Sequence, residues 1–304
     1  MKKIIFVLLL ATMFISACSS DGDVVVSEGP FVGGSEGVAV SFVEGAPFGE
    51  FVAGQDIPIK LLLKNSGEYD LAGGSIEAKL FGVHMPSFSL DAGWSIVNSP
   101  LIGVKKGFLE EGSEKIVDMG VLNYVAEINN PIETTLYSKI CYPYRTSASV
   151  NICVSSKEIE DSGGEVVCDI AEDKLVEGGV SSGPVQLTSF SEEFEGVNRL
   201  AFKLTFENQG VGQVFGKNIS CENIDTVEGN LEEDKVYLTM PEDITCFFVE
   251  GEESNEGYIR VGGNTVTCHM DVENTGSTYE RNINIFADYR YIESTSVDLT
   301  ILEV

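Results

Sequence analysis

The fold follows from Ile59-Lys60-Leu61-Leu62-Leu63-Lys64-Asn65-Ser66-Gly67, a run in which apolar and polar residues alternate before a turn signal. In an extended strand its first, third and fifth residues point to one face, and the lysines point to the other. The Asn-x-Gly ending is typical of a tight turn, because Asn and Gly tolerate a positive φ. The pattern recurs in Phe202-Lys203-Leu204-Thr205-Phe206-Glu207-Asn208-Gln209-Gly210, which indicates two copies of one β unit.

A second repeat lies near the end of each copy. The segment from Tyr144 to Val154 aligns without a gap on the segment from Tyr291 to Ile301. Each predicts a strand, a Ser/Thr-rich turn and a closing strand, which together form a hairpin. The two repeats occur in the same order at similar separations, as expected for a tandem duplication.

Short alternating runs continue from Val38 onward, and no segment keeps a 3.6-residue apolar period over three turns. We therefore predict an all-β chain of two tandem antiparallel β-sandwich domains. The first domain would cover residues 38–157 and the second residues 183–304. The composition of residues 19–37 predicts a flexible tether, and the acidic, Gly/Ser-rich residues 158–182 predict a linker.

The turns of both copies resemble those of a known module. Each copy has the strand that ends in Asn-x-Gly, a later Gly-bearing turn (Glu111-Gly112-Ser113 and Gly262-Gly263-Asn264) and the predicted final hairpin. This combination resembles the immunoglobulin-like domains of prokaryotic surface proteins, especially the CARDB type, a cell-adhesion-related module of archaeal and bacterial envelope proteins. The resemblance implies two tandem immunoglobulin-like sandwiches with a role at the cell surface, and it supplies no catalytic residues.

The first residues predict export. Two lysines precede an apolar run from Ile4 to Ile15, and Ile15-Ser16-Ala17-Cys18 follows as a small-residue cleavage site. The run is too short for an ordinary transmembrane helix. Its ending resembles the lipobox of prokaryotic lipoproteins, which implies that residues 1–18 are a signal peptide and that Cys18 is acylated. The alternative is ordinary cleavage nearby. The lipoprotein interpretation predicts a membrane-anchored protein that faces the cell exterior or the periplasm.

Charge restricts the partners. The chain has 19 Lys and Arg against 48 Asp and Glu, a formal net charge of −29. Nucleic acid is a poor partner, because its binding depends on clustered cations that release counterions. Anionic lipid head groups are disfavoured for the same reason, so any membrane association would come from the lipid on Cys18. The predicted partners are other surface or envelope proteins.

Six cysteines remain when Cys18 is set aside, and an even number in an exported chain favours disulfides. A symmetrical hairpin around Ser147 would place Cys141 opposite Cys153 on the same face. Directly opposed residues on antiparallel strands are close enough for a disulfide, so this bridge is predicted.

The disulfide pairing of the other four cysteines has less geometric support. Cys246 and Cys268 would be joined across a loop of about 20 residues. Elimination leaves Cys168 with Cys221, a bridge that would fasten the linker to the second domain.

Metal and catalytic chemistry have little support. No Cys-x2-Cys spacing occurs, and His84 and His269 are the only histidines, which disfavours zinc. Gly33-Gly34-Ser35-Glu36-Gly37 matches the nucleophile-elbow pattern but lies in the predicted tether, without the strand, helix and histidine base that an elbow requires. Calcium binding at the loops stays open as an alternative, although no Asp-x-Asp-x-Asp-Gly loop is present. We predict no enzymatic activity, no cofactor and no metal site.

The candidate contact residues are Trp94, Tyr142, Tyr144, Tyr289 and Tyr291. The tyrosines are spaced by two near the end of each copy, and the alternative is that they pack inside a sandwich corner. The tryptophan would stack on a ligand, as in sugar-binding modules, or else lie in the core of the first sandwich. Asn218-Ile219-Ser220 fits the glycosylation sequon, so Asn218 is a candidate glycosylation site.

The predicted function is that of a non-enzymatic, lipid-anchored surface protein that makes protein contacts through its tandem domains, in adhesion or as an envelope or filament component. The alternative is a lipoprotein that captures a sugar or peptide for a transporter or a secreted enzyme. An exposed edge strand would favour the first function. Exposed aromatic residues clustered around Trp94 would favour the second.

Overall fold

The computed structural model describes residues 29–157, 167–248, 251, 253–272 and 278–303. Cys18, the predicted signal peptide and parts of the predicted tether and linker lie outside the described residues. The described chain is almost entirely β-structure with antiparallel sheets, so the predicted all-β class is confirmed. In this part of the chain, no helix has the length and apolar character to cross a membrane.

The strands described in the first half are β1 (Val38–Phe42), β2 (Glu50–Val52), β3 (Ile57–Asn65), β4 (Ile76–Phe81), β5 (Ser95–Val97), β6 (Glu114–Leu122) and β7 (Ile132–Val154). Those of the second half are β8 (Val185–Phe194), β9 (Arg199–Asn208), β10 (Gln213–Gly216), β11 (Lys235–Thr239), β12 (Thr245–Phe247), β13 (Glu253–Ser254), β14 (Glu256–Arg260), β15 (Thr265–Asp271) and β16 (Tyr279–Leu302). The described helices are the short α1 (Val227–Glu232) and 3-10 turns at Met85–Phe88 and Cys221–Asn223.

The repeated signature forms β3 in the first half and β9 in the second, as predicted. Every second residue of β3 is buried, which is the burial expected for a strand with one apolar face. The turn after each strand is held in the same way in both halves. The side-chain amides of Asn65 and Asn208 donate to the main-chain oxygens of Tyr69 and Gly212, each at 2.8 Å.

Glycine is required in this turn for close approach, which differs from the reason inferred above. Neither Gly67 nor Gly210 has a positive φ. A Cβ atom at Gly67 would clash with the hydroxyl of Tyr144, and one at Gly210 would clash with the hydroxyl of Tyr291. The turn therefore needs glycine because a tyrosine lies against its backbone.

Three sheets make up the described fold. The first half contributes the three-stranded sheet β1-β3-β6, and the second contributes the five-stranded sheet β13-β12-β15-β9-β8. The third sheet has the order β14-β11-β16-β7-β4-β5, and β10 and β2 also pair with β16. It contains strands from both halves, so the two copies meet in one continuous sheet.

The predicted terminal hairpins are wrong. β7 and β16 are each a single long strand, and they pair with each other from Ile132 opposite Ile301 to Val154 opposite Tyr279. The expected turn residue Ser147 lies opposite Phe286. Serine and threonine suit a strand as well as a turn, and here the distant copy supplies the partner that a local hairpin would have supplied.

The pairing of β7 with β16 relates the halves by an approximate two-fold axis. Tyr142 lies opposite Tyr291, and Tyr144 lies opposite Tyr289, so exchanging the halves exchanges the two pairs. Each half starts in an equivalent way, because the N–H of Val38 donates to the hydroxyl of Tyr142 at 3.1 Å and the N–H of Val185 donates to that of Tyr289 at 3.2 Å. The tandem copies are therefore packed like the subunits of a symmetric dimer.

Each long strand ends on the other half. Leu299 and Ile301 at the end of β16 are buried in one cluster with Ile57 and Ile59 of the first half. At the end of β7, the N–H of Cys153 donates to a carboxylate oxygen of Glu192 on β8 at 3.0 Å. The predicted boundaries at 38–157 and 183–304 stay predictions, since these strands join both halves in one sheet and one core.

Two of the three predicted disulfides are wrong. Cys141 is bonded to Cys221, and Cys153 is bonded to Cys168. Because Cys141 and Cys153 lie on one continuous strand, they are about 40 Å apart along it, at roughly 3.3 Å per residue, and cannot meet. The structure joins Cys246 to Cys268, which is the pair that the loop length indicated.

The described part of the predicted linker is fastened to the folded halves. Besides the bond from Cys168 to Cys153, the ammonium of Lys174 lies 3.4 Å from the carboxylate of Glu192, and both side chains are almost fully buried. Burial raises the pKa of Glu192, whereas the N–H of Cys153 and the ammonium of Lys174 act to lower it.

Candidate protein-contact surface

The four tyrosines predicted as contact residues are buried. Tyr142, Tyr144, Tyr289 and Tyr291 are each at most 1% exposed. Their ring centroids lie 5.9 to 6.3 Å apart around the approximate two-fold axis. Burial raises the pKa of Tyr142 and Tyr289 well above the usual value for a phenol, and that of Tyr291 to about 12. These residues pack the junction of the halves, so the predicted contact role is wrong and the packing alternative is correct.

Trp94 is half-buried on the outer side of the shared sheet. It packs against a small cluster that includes Cys141, Phe215 and Cys221. The ammonium groups of Lys79 and Lys139 lie 5.6 Å from the centre of its ring. The tryptophan is therefore neither a core residue of one sandwich nor an open stacking platform, since cations and a disulfide occupy its surroundings.

Two other aromatic rings lie near this tryptophan. Phe81 and Tyr137 stack at 5.3 Å, and the ammonium of Lys139 lies 5.5 Å from the ring of Phe81. The same ammonium is bonded to both carboxylate oxygens of Asp225 at 2.6 and 2.7 Å. A sugar would have to displace these bonded groups in order to stack here.

The remaining candidates are scattered. Asn218 is exposed after β10, and its glycosylation stays a prediction. His84 lies 2.8 Å from the hydroxyl of Ser87, and His269 lies 2.6 Å from a carboxylate oxygen of Glu195. Among the described residues, no three His, Cys, Asp or Glu side chains are grouped to hold a metal ion.

One surface of the first half differs clearly from its counterpart in the second half. In the repeated signature Leu61 corresponds to Leu204. Leu61 on β3 lies opposite Val117 on β6, and Leu204 on β9 lies opposite Val266 on β15. β6 is therefore the counterpart of β15.

The outer edges of these two strands have different neighbours. β15 is covered by β12, with Thr245 opposite His269 and Cys246 opposite Cys268, and β13 then pairs with β12. β6 pairs with β3 on one side, and no other strand of the described chain pairs with its second side. An unpaired edge presents free N–H and C=O groups to a further strand.

The side chains along β6 are also unusually apolar for an exposed edge. Ile116 is 60% exposed, and the residue at the corresponding pairing position in the second half is Thr265. Val121 is 50% exposed, and its counterpart His269 is covered by the ring of Phe247 on β12, with centroids 5.3 Å apart. We name the exposed edge of Glu114–Leu122 the β6 edge.

A cleft of about 570 Å³ adjoins the end of the β6 edge. It is lined mainly by residues 123–129, with Ala53, Gly54 and Glu303. Its floor is held by main-chain bonds, since Asn123 and Val125 donate to the oxygens of Phe88 and Ser87 at 3.0 Å. The lining of this cleft begins at Asn123, the residue that follows the β6 edge in the chain.

The β6 edge carries features that restrict indiscriminate pairing. The register shifts between Pro58 and Lys60 on the adjacent strand. Gly120 has a φ of +97°, and its N–H donates to the side chain of Asp118 at 2.9 Å. A bulge and charged side chains shorten the usable edge, so a partner strand must fit a limited length.

Sequence reasoning missed this surface, although a signal was present. Ile116 and Val117 are adjacent apolar residues, and adjacent residues of a strand face opposite sides. Apolar residues on both faces of a strand indicate that both faces contact protein. In the described fold, Val117 packs against the core and Ile116 on the other face is exposed.

No protein-family model and no curated protein matches this sequence. Among solved structures, the CupB6 tip adhesin from Pseudomonas aeruginosa aligns with 9% identity over 89% of this chain and 98% of that chain, with a TM-score of 0.19. A TM-score of 0.19 is too low to relate the two folds, so the fold assignment depends on the strands described above.

Proposed function

We propose that this chain is a non-enzymatic surface protein that makes protein contacts through its first half, in adhesion or as an envelope component. The observation that carries the proposal is the β6 edge, an open strand with exposed apolar residues in a position that the second half covers with its own strands. Exposed apolar surface beside a free edge is typical of a protein-contact site.

The three disulfides support a location outside the reducing cytosol. The proposal includes attachment to the membrane through a lipid on Cys18, as the signal sequence predicts, and the relation of both halves to CARDB-like immunoglobulin domains. The second candidate, capture of a sugar or peptide around Trp94, is disfavoured because bonded lysines lie over its ring.

The test is photo-crosslinking on intact cells of the source organism. A photoreactive phenylalanine analogue replaces Ile116 in one variant and its counterpart Thr265 in a matched control variant. We expect capture of an envelope or surface protein from position 116 and little capture from position 265. Equal capture from both positions, or none from either, would contradict the proposed function.

The lipid attachment has a separate test. A Cys18→Ala variant should leave the membrane fraction, whereas the native protein should stay in it. If the variant remains in the membrane fraction, the anchoring part of the proposal is wrong while the contact surface is unaffected.

A further inference from the structure

We propose that the β6 edge binds a basic, extended segment of another protein as an added antiparallel strand, in the position that β12 occupies in the second half. This inference rests on the proposed function and specifies its partner and its mode of binding. The molecule contains an open and a covered version of the same edge, one in each copy of the internal repeat.

The covered version shows what fits this edge. β12 is short and antiparallel to β15, and it places Thr245 opposite His269. The ring of Phe247, two residues along β12, covers His269. Val121 occupies the equivalent place on β6 and is half exposed. A strand with an aromatic or large aliphatic residue at the position of Phe247 would cover Val121 in the same way.

The adjoining cleft extends this binding surface beyond the strand. Its exposed lining includes Val125 and Ala126 beside the acidic Glu127 and Glu303. A segment that pairs with β6 and continues past Leu122 would enter the cleft. The partner is therefore longer than β12 and carries further apolar residues beyond the paired part.

Charge favours a basic partner. Along β6 the exposed acids Glu114 and Asp118 are accompanied by the exposed Lys115, and Lys64 pairs with Glu114 at 3.2 Å. The cleft adds Glu127 and Glu303, and its described lining contains no lysine or arginine. The whole chain carries a formal charge of −29. A second copy would bring the same acidic cleft and the same net charge, whereas a segment with lysine or arginine gains steering and affinity.

The experiment uses the full mature chain and synthetic peptides as probes. Each peptide copies residues 243–248 with the Cys246→Ala change and carries a fluorophore. One peptide is flanked by two lysines at each end, and a matched peptide is flanked by two glutamates. At about 50 mM salt we expect the lysine-flanked peptide to bind at least about tenfold more tightly, with a smaller difference at about 0.5 M salt.

Two further lysine-flanked peptides test for strand pairing. One peptide is N-methylated at its odd-numbered residues and the other at its even-numbered residues, the two phases of methylation. Each therefore loses the N–H donors of one edge while the side chains stay the same. Pairing with β6 uses a single edge of the peptide. One phase should therefore lose about tenfold or more in affinity, while the other should bind within about threefold of the parent peptide.

Hydrogen exchange locates the binding. The β6 amides that point away from β3 should exchange rapidly in the free protein and slowly with the lysine-flanked peptide, and Ile116→Lys should weaken binding while Thr265→Lys should not. Equal affinity of the two methylated peptides, or no binding of any peptide, would overturn the inference. Slow exchange of these outward-facing amides in the free protein would also overturn the inference. Slow exchange at all protein concentrations would identify a segment of this chain as the occupant, and slow exchange only at high concentration would identify a second copy.

The two proposals fail separately. Capture of a partner from position 116 on cells, together with equal binding of the methylated peptides, would leave the contact surface intact and remove strand addition. Phase-dependent peptide binding without capture on cells would remove the proposed function, and with it the physiological meaning of the open edge.

Discussion

The two halves of this molecule share one strand plan and differ in how they end it. In the second half, β12 and β13 cover the outer edge of β15, and the disulfide from Cys246 to Cys268 fastens that cover. In the first half, residues 98–113 occupy the corresponding place in the chain and form no strand. The difference teaches that the shared fold does not need this cover, because the first half packs its core with β6 open.

The comparison also separates features that hold the halves together from features that distinguish them. The paired tyrosines, the Asn-x-Gly turns and the long strands β7 and β16 occur in both halves and lie at their junction. The disulfide cover and the exposed apolar edge each occur in one half. Substitutions can therefore disrupt the features that both halves share, or they can make one half resemble the other.

The largest expected effect comes from breaking the bond between the halves. Cys141 on β7 is bonded to Cys221 in the second half, at a sequence separation of 80. Replacing both by alanine should lower the free energy of unfolding by roughly 4 to 5 kcal/mol in the chain-entropy model, as measured by urea denaturation. The double variant Cys153→Ala/Cys168→Ala, with a separation of 15, is the matched control and should cost roughly 3 kcal/mol. A larger loss in the control would mean that the bond between halves does not constrain them.

The next effect comes from removing the fastening of the covered edge. The variant Cys246→Ala/Cys268→Ala should lose roughly 3 kcal/mol, because the bond closes a loop with a separation of 22. Because β12 can then detach, the β15 amides that face β12 should exchange at rates close to those of the β6 amides that point away from β3. Hydrogen exchange followed by mass spectrometry measures this directly. If β15 stays as protected as in the native protein, the pairing alone closes the edge and the disulfide is not what distinguishes the halves.

A smaller effect should distinguish two equivalent tyrosines. The hydroxyl of Tyr289 accepts from Val185 and lies 3.0 Å from the hydroxyl of Thr146, whereas that of Tyr142 accepts from Val38. Tyr289→Phe should therefore cost about 2 kcal/mol and Tyr142→Phe about 1 kcal/mol. Thermal and urea unfolding of the two variants provide the measurement.

The control for this pair is Tyr137→Phe. Tyr137 is exposed on the outer face of β7, so the change should stay within about 0.5 kcal/mol. Equal losses in Tyr142→Phe and Tyr289→Phe would show that the additional contact of Tyr289 with the threonine contributes nothing.

The local parts of this fold could be predicted from the sequence, whereas the pairing between copies could not. The period of two in β3 and β9 predicted strands with one buried face, because side-chain direction depends on neighbouring residues alone. The hairpin at Ser147 failed because the pattern of threonine and serine is the same for a turn and for a strand in a sheet. The choice depends on β16, more than a hundred residues away.

The contact prediction failed for a related reason. Spacing by two placed Tyr142 and Tyr144 on one face but could not decide whether that face is buried, which depends on the second pair of tyrosines across the sheet. The adjacent apolar residues Ile116 and Val117 signal apolar surface on both faces of β6, but they do not signal its open edge, because an open edge is defined by the absence of a neighbour. Only comparison with the covered β15 makes it visible.

One position of the repeat carries different chemistry in the two halves. Thr146 corresponds to Glu293 in the repeat. Thr146 is buried and its hydroxyl donates to the main-chain oxygen of Val185 at 2.6 Å. Burial, with repulsion from Glu36 as a second cause, raises the pKa of Glu293 to about 7. The first half therefore contains a neutral group where the second contains an acid that resists ionisation.

The sign of the pH effect follows from that raised pKa. Between the usual value for a glutamate and about pH 7, the folded protein binds the proton more tightly than the unfolded chain does, so this residue makes stability fall as pH rises through that window. Glu293→Gln keeps the shape and removes the titration, and it should make unfolding less dependent on pH between about 5 and 8, with a gain in stability at pH 7.5. Glu293→Thr copies the first half and should remove the same dependence. Urea unfolding at several pH values measures it, with the exposed Glu114→Gln as the control, because that side chain is exposed and paired with Lys64. An unchanged slope in both Glu293 variants would mean that the acid is solvated, and that the halves do not differ in proton binding at this position.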